Sequence, residues 1–141
     1  MPIKTTFDSL TPGLKKLAAF GQSPKPVLEV MGVELKNVTI ESFSDPSIRP
    51  APWADKKDGG PSNLTDSTTL SKSFRETATN KKATVSTDRV YAAVHQFGSK
   101  DGRIPARPFF PFVNDTMVPA AHARIEAIGQ LKLDNLLRKI R

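Results

Sequence analysis

The sequence predicts an α+β fold: a small antiparallel sheet packed with N- and C-terminal helices, and one long irregular loop. Three observations lead there. Apolar residues recur at helical spacing at both ends of the chain, shorter extended patterns follow Leu70, and residues 44–69 show no periodicity at all. With 141 residues, 38% of them apolar, the chain is the size of a single domain spanning 1–141. A domain of that length buries roughly 68–70% of its unfolded surface, enough for its own core.

The first helix is expected from Thr11-Pro12, an N-cap followed by proline at the first helical position, with Leu14, Leu17, Ala18 and Phe20 on one face and Gly21 as the stop. Ser23-Pro24-Lys25-Pro26 breaks the chain. Leu28, Met31, Leu35 and Val38 then form the stripe of a second, amphipathic helix. Its β-branched end, Val38-Thr39-Ile40, leaves the last turns open between helix and extended chain.

Residues 44–69 are dominated by Ser, Asp, Pro and Gly, and Ile48, Trp53 and Leu64 are their only large apolar side chains. A loop of this length tends to be functional or disordered, and a flexible segment that orders on binding is expected here. Trp53, the only tryptophan, either anchors the loop on its own domain or inserts into a neighbour.

Beyond it, Leu70, Phe74 and Ala78 share one side of a possible strand and Ala83 and Val85 begin another, with Asn80-Lys81-Lys82 as the turn. Asp88 is positioned to cap a short helix whose Val90, Tyr91, Val94 and Phe97 face inward, with Gly98 as a left-handed stop. A loop of prolines and aromatics covers 99–113. A helix from about Met117 to Ile128 follows, with Pro119 in its first turn, and a separate basic helix is expected over 130–141 after Gly129.

The net charge is +7 and the pI about 9.9. Residues 1–71 are neutral, and the excess lies in three later surpluses: 72–89, 100–107 and the last eleven residues. A dedicated DNA reader concentrates its charge along one recognition helix. The dispersed pattern fits either a solvated surface or an electropositive face with a polyanionic partner.

The chemistry of catalysis is sparse. With no cysteine, disulfides, zinc–thiolate sites and thiol nucleophiles are excluded. The two histidines, His95 and His122, have no metal-ligand spacing. His95 reads as packed and hydrogen-bonded, His122 as near the surface. No G-x-S-x-G motif or phosphate loop occurs, and Gly59-Gly60-Pro61 suits a turn. No enzyme, metal or cofactor is therefore expected; an enzyme built on His95 would need that residue in a deep pocket. No run approaches the roughly 20 apolar residues of a membrane span, and no signal pattern opens the chain. The expectation is a soluble protein without a membrane partner, made and assembled in a cytoplasm.

The most informative residues are Tyr91-Ala92-Ala93-Val94-His95-Gln96-Phe97-Gly98 and Ile104-Pro105-Ala106-Arg107-Pro108-Phe109-Phe110. Pro105 and Pro108 stiffen an extended loop. Arg107 offers a planar fork to a carboxylate or a row of carbonyls, within the chain or across an interface. Phe109, Phe110 and Phe112 are too many for one small core; either the loop is pinned to its own core or at least one ring meets a neighbouring subunit.

These two segments, YAAVHQFG and IPARPFF, resemble the phage virion morphogenesis or tail completion proteins of Mu-like prophages, whose pattern is Y-A-x-x-H-Q-F-G followed by I-P-A-R-P-F-L. Leu64 to Phe74 is similar to the family's L-x-D-T-G-x-L-x-x-S-I, with Ser67 and Thr68 where Thr and Gly stand, and Pro52-Trp53 is similar to its loop tryptophan. The resemblance runs from about residue 10 to 130 and is most specific over 91–110. It implies a structural virion protein that finishes the tail or joins it to the head, working as a ring, commonly hexameric, against other tail or neck proteins inside the host bacterium. Trp53, Tyr91, His95, Gln96, Phe97, Arg107, Phe109 and Phe110 are the expected contact residues, with Gly98, Pro105 and Pro108 completing the motif and Tyr91 and Phe97 the readiest to be fold-defining instead. A basic nucleic-acid-binding module is the alternative, and non-specific contact with DNA stays open.

Overall fold

A computed structural model describes residues 4–55 and 68–140. In chain order these form helix α1 (Thr11–Ala19), helix α2 (Lys25–Glu41), a single-turn helix α3 (Thr68–Ser71), strands β1 (Arg75–Ala78) and β2 (Ala83–Ser86), helix α4 (Ala92–Phe97), strands β3 (Phe112–Val113) and β4 (Thr116–Met117), and helix α5 (Pro119–Arg138). The fold is α+β, as its sequence predicts. The strands make two separate antiparallel hairpins, β1–β2 and β3–β4, rather than one sheet. The expected turn at Gly59-Gly60-Pro61 and the motif residues Leu64 to Ser67 lie outside the described residues.

Helices α2 and α5 form the frame. Met31 and Val38 of α2 pack with Ala121, Ile125 and Leu133 of α5, closed by Leu10 and Leu17 from the α1 region and by Phe112 and Met117 of the small hairpin. The β-branched end of α2 is helical: buried Thr39 turns its hydroxyl back to Leu35 O at 2.8 Å, which satisfies it inside the helix. Arg124 of α5 reaches Glu34 and Glu41 of α2 at 2.5 and 2.6 Å. Those pairs are partly exposed, so they set the register of the two helices more than they stabilise them.

Several boundaries differ from the sequence reading, each for a physical reason. Thr11 lies inside α1, whose N-cap is Leu10 without a side-chain bond, because the 3₁₀ turn Asp8–Leu10 leads directly into the helix. Leu70 belongs to α3 rather than a strand, since both the amide and the hydroxyl of Ser73 bond back to Leu70 O at 3.0 and 2.6 Å. Met117 ends β4 instead of starting a helix. Asn114 and Asp115 both take positive φ, 46° and 66°, the two-residue turn that best matches strand twist. Pro119 stands at the start of α5, where its missing N–H costs nothing.

The largest difference is at Gly129. The two expected C-terminal helices are one helix of 20 residues. Gly129 is a contact point, not a break: a Cβ there would lie 2.6 Å from Met31 Sδ and 2.9 Å from Met31 Cγ. The missing side chain lets α5 approach α2.

Gly129→Leu tests this. On an exposed helix face it would add about 1 kcal/mol of stability through helix propensity. Here it is expected to destabilise by about 1–3 kcal/mol, read as a lowered urea midpoint with an unchanged slope.

Candidate functional site

Helix α4 has six residues and is too short to be stable alone. It ends at Gly98, whose amide closes on Val94 O at 2.7 Å. Gly98 is required twice over: its φ is +79°, and a Cβ would sit 3.1 Å from both Ala106 N and Ile104 O. The chain then folds into a tight loop. Ser99 N donates to Ile104 O at 2.9 Å, and the Asp101 carboxylate accepts from the Ser99 hydroxyl at 2.6 Å and Arg103 N at 3.0 Å. The Ser99 hydroxyl and the Arg103 amide hold that carboxyl below its ordinary pKa. From there the proline segment runs back beneath α4, with Arg107 N donating to His95 O at 2.6 Å.

The returning segment is clamped on all sides. The Gln96 side-chain oxygen accepts from both Phe109 N and Phe110 N at 3.0 Å. Ser42 Oγ, at the end of α2, donates to Phe109 O at 3.0 Å, and Trp53 Nε1 donates to Pro108 O at 2.9 Å. The Arg107 fork donates to Ala54 O and Asp55 O at 3.0 and 3.1 Å, so it takes a row of carbonyls within its own chain.

Under the clamp lies a second core of Phe43, Trp53, Leu70, Phe74, Ala92 and Phe109. Phe109 stacks on Phe43 at 5.6 Å and meets Phe74 at 5.4 Å, while Phe43 is edge-on to Trp53 at 5.8 Å. Arg49 lies 3.6 Å over the Trp53 ring and donates to Ser42 O and Phe43 O at 2.6 and 3.3 Å, closing the end of α2. Trp53 therefore anchors the loop on its own domain. The three phenylalanines are also accommodated: Phe109 fills this core, Phe112 the other, and Phe110 packs against both. No single core holds all three, because the described residues form two.

The expected inward face of α4 is met only in part: Tyr91 and Val94 are half-buried, with Tyr91 packed against the aromatic core. Ala92 and Gln96 are buried, whereas Val90 is 93% and Phe97 62% exposed. Ile104, in the adjoining loop, is 42% exposed. The sequence-expected contact set thus divides. Trp53, Gln96 and Phe109 are buried, Tyr91, His95, Gly98, Arg107, Pro108 and Phe110 are half-buried, and Phe97 and Pro105 are exposed. Sequence reasoning missed Ser42, Phe43 and Arg49, which build the clamp's far side; a lone arginine before Pro50-Ala51-Pro52-Trp53 is the one signal that points to it.

His95 is half-buried beneath Tyr91, edge-on at 5.7 Å. Contrary to expectation, its Nδ1 is buried without a hydrogen-bond partner. Burial, and then the Arg107 charge, hold the imidazole below its ordinary pKa of 6.5. His122 is half-buried too, stacked on Phe7 at 4.3 Å, with Nε2 3.1 Å from Thr6 O. Two shallow grooves among the described residues lie elsewhere, one beside Lys16, Leu131 and Leu137 and one beside Lys25, Glu29 and Thr77. Among the described residues no cluster of His, Asp and Glu is arranged to hold a metal, and no helix is long and apolar enough to cross a membrane.

Two outcomes follow from the clamp. Gln96→Leu strips the partner from two amides and is expected to cost about 1–3 kcal/mol for each, seen in urea unfolding together with a red shift of Trp53 emission. His95 is harder to protonate folded than unfolded, so stability is full above about pH 6.5 and falls as pH drops below it. Melting temperature against pH should show that decline in the native protein, and His95→Phe should remove it.

The comparisons with known proteins agree with this reading of the motif. Residues 6–119 match the phage virion morphogenesis family. The chain is 33% identical over 105 residues to the Mu-like prophage FluMu G protein 2 of Haemophilus influenzae, covering 71% of this chain and 75% of that protein. No solved structure matches it. The matched span takes in α1 to β4 and both halves of the clamp, and on that ground the chain belongs to the phage virion morphogenesis family.

Proposed function

We propose that this protein acts in tail completion or head–tail joining, as a subunit of an oligomeric ring, and that it works by contact rather than by catalysis. Family membership supports the coarse part of this, a role in building the phage particle. One observation supports the finer part: Val90, Phe97 and Ile104, at the two ends of α4 and in the loop that follows it, are large apolar side chains left exposed.

Large apolar side chains are costly to leave in water. At the end of α4 apolar Phe97 stands next to polar Gln96, and burial of apolar surface alone would turn the phenylalanine inward. Here the glutamine is buried because it holds two backbone amides, and the phenylalanine is exposed as a consequence. Exposed apolar side chains grouped among polar neighbours mark protein contact surfaces. This one sits on backbone fixed from below, so little freedom remains to be lost on docking. Ring contacts join two different faces of successive subunits, which suits a one-sided patch of this kind.

The test is Val90→Glu combined with Phe97→Glu. Both side chains face water, so the variant should melt within a few degrees of the native protein. Supplied in place of the native protein during phage growth, it is expected to leave unjoined heads and tails under the electron microscope. Normal yields of joined particles from a well-folded variant would overturn the assignment of this surface.

A further inference from the structure

We propose that the outward face of the β1–β2 hairpin is a contact surface for the phosphate backbone of duplex DNA. The inference is independent of the α4 surface and rests on how the hairpin divides its side chains. Glu76, Ala78, Ala83 and Val85 are the half-buried set, and α2 packs against the hairpin. Arg75, Thr77, Thr84 and Ser86 are exposed, and the register pairs them as Arg75 with Ser86 and Thr77 with Thr84. The outward face is therefore one guanidinium and three hydroxyls, with no apolar residue. Lys81 and Lys82 extend it at the turn and Lys72 precedes it, all exposed.

Two carboxylates of this region are paired, and a third, Glu29, shares a groove with Thr77 and with Lys25. Glu76 points toward α2, where Lys36 Nζ lies 2.8 Å from it and holds its carboxyl below the ordinary pKa. Asp88 pairs with its neighbour Arg89 at 3.6 Å. Glu29 of α2 lines the groove along the β1 edge together with Lys25. The hairpin is also held in place: Ser23, between α1 and α2, donates to Asn80 in its turn.

Hydroxyls and cations on an extended, apolar-free face are the groups that contact phosphate and sugar, and they carry no sequence preference. A protein partner would call for apolar or aromatic anchors at the centre of the patch, and this face has none. The commitment is to duplex DNA bound through its backbone, without base recognition.

Fluorescence anisotropy with a short labelled duplex of arbitrary sequence, titrated at several salt concentrations, tests it. Four cations in contact predict a log–log salt slope near −3.6, about a hundredfold loss of affinity between about 50 and 200 mM salt. Lys81→Gln with Lys82→Gln should halve the slope, to about a tenfold loss over that range, with the melting temperature unchanged. Lys132→Gln with Lys139→Gln, which removes equal charge from the end of α5, should leave the slope as it was. Absence of binding at about 50 mM salt would overturn the proposal, as would a hairpin variant indistinguishable from native or an equal loss in the α5 variant. Competition by polyglutamate at the same charge concentration as strong as that by unlabelled duplex would also overturn it, in favour of an acidic protein partner.

Discussion

Gln96 accepts two main-chain hydrogen bonds with one side-chain oxygen, and the arrangement of the middle of the molecule follows from it. Residues 107–111 are buried or half-buried irregular backbone, and buried backbone groups without a sheet or helix must find partners singly. Gln96 supplies them to Phe109 and Phe110, Ser42 to Phe109 O, Trp53 to Pro108 O, and His95 O to Arg107 N. The prolines reduce the demand, because Pro105, Pro108 and Pro111 bring no N–H that would need an acceptor. Once Gln96 must face inward, the rotation of α4 about its axis is fixed, and with it the direction of Phe97.

The clamp also explains how one short domain holds eight phenylalanines and a tryptophan without a single large core. Segment 109–112 crosses between two apolar clusters, sending Phe109 into one and Phe112 into the other, with Phe110 against both. The α2–α5 frame and the aromatic cluster beneath α4 are thereby coupled through four residues of backbone. An exposed loop seated on such a junction is stiffer than its lack of regular structure suggests, and stiffness is what a preformed contact surface needs.

Much of this was legible in the residues and some was not, for identifiable reasons. The long helices were, because ten or more positions report on one periodicity. So was the β1–β2 turn. The facing of α4 was not: periodicity counts apolar residues and assigns them inward, and it has no weight for a polar group that satisfies two amides. Gly129 read as a helix end because glycine's backbone freedom is visible in sequence, whereas its lack of bulk against Met31 depends on a residue about a hundred positions away. The β3–β4 hairpin has strands of two residues, too short for alternation, although Asn114-Asp115 is a recognisable turn pair. The motif at 91–110 is legible as a motif, but spacing does not report how its residues divide between buried scaffold and exposed surface. Gln96, Arg107 and Phe109 hold the surface in place, and Phe97 stands on it.

That division has a consequence for how the protein would engage its surroundings. An apolar stripe binds by removing surface from water, and this contribution is not weakened by moderate salt. A face of lysine, arginine and hydroxyls binds phosphate by releasing counterions, and its affinity falls steeply as salt rises. Val90 and Phe97 belong to the first kind of surface, and Arg75, Lys81 and Lys82 to the second. If both proposed surfaces are used, the apolar one would hold its protein neighbour at any moderate salt, while contact with DNA would stay weak and exchangeable at physiological ionic strength. At the head–tail joint proposed above, tight and specific contact with DNA would be an obstacle to its passage. A hydroxyl-rich cationic hairpin without base-reading side chains meets that constraint, and the neutral first half of the chain leaves the remaining charge free to be confined to it and to the α4 loop and α5 end.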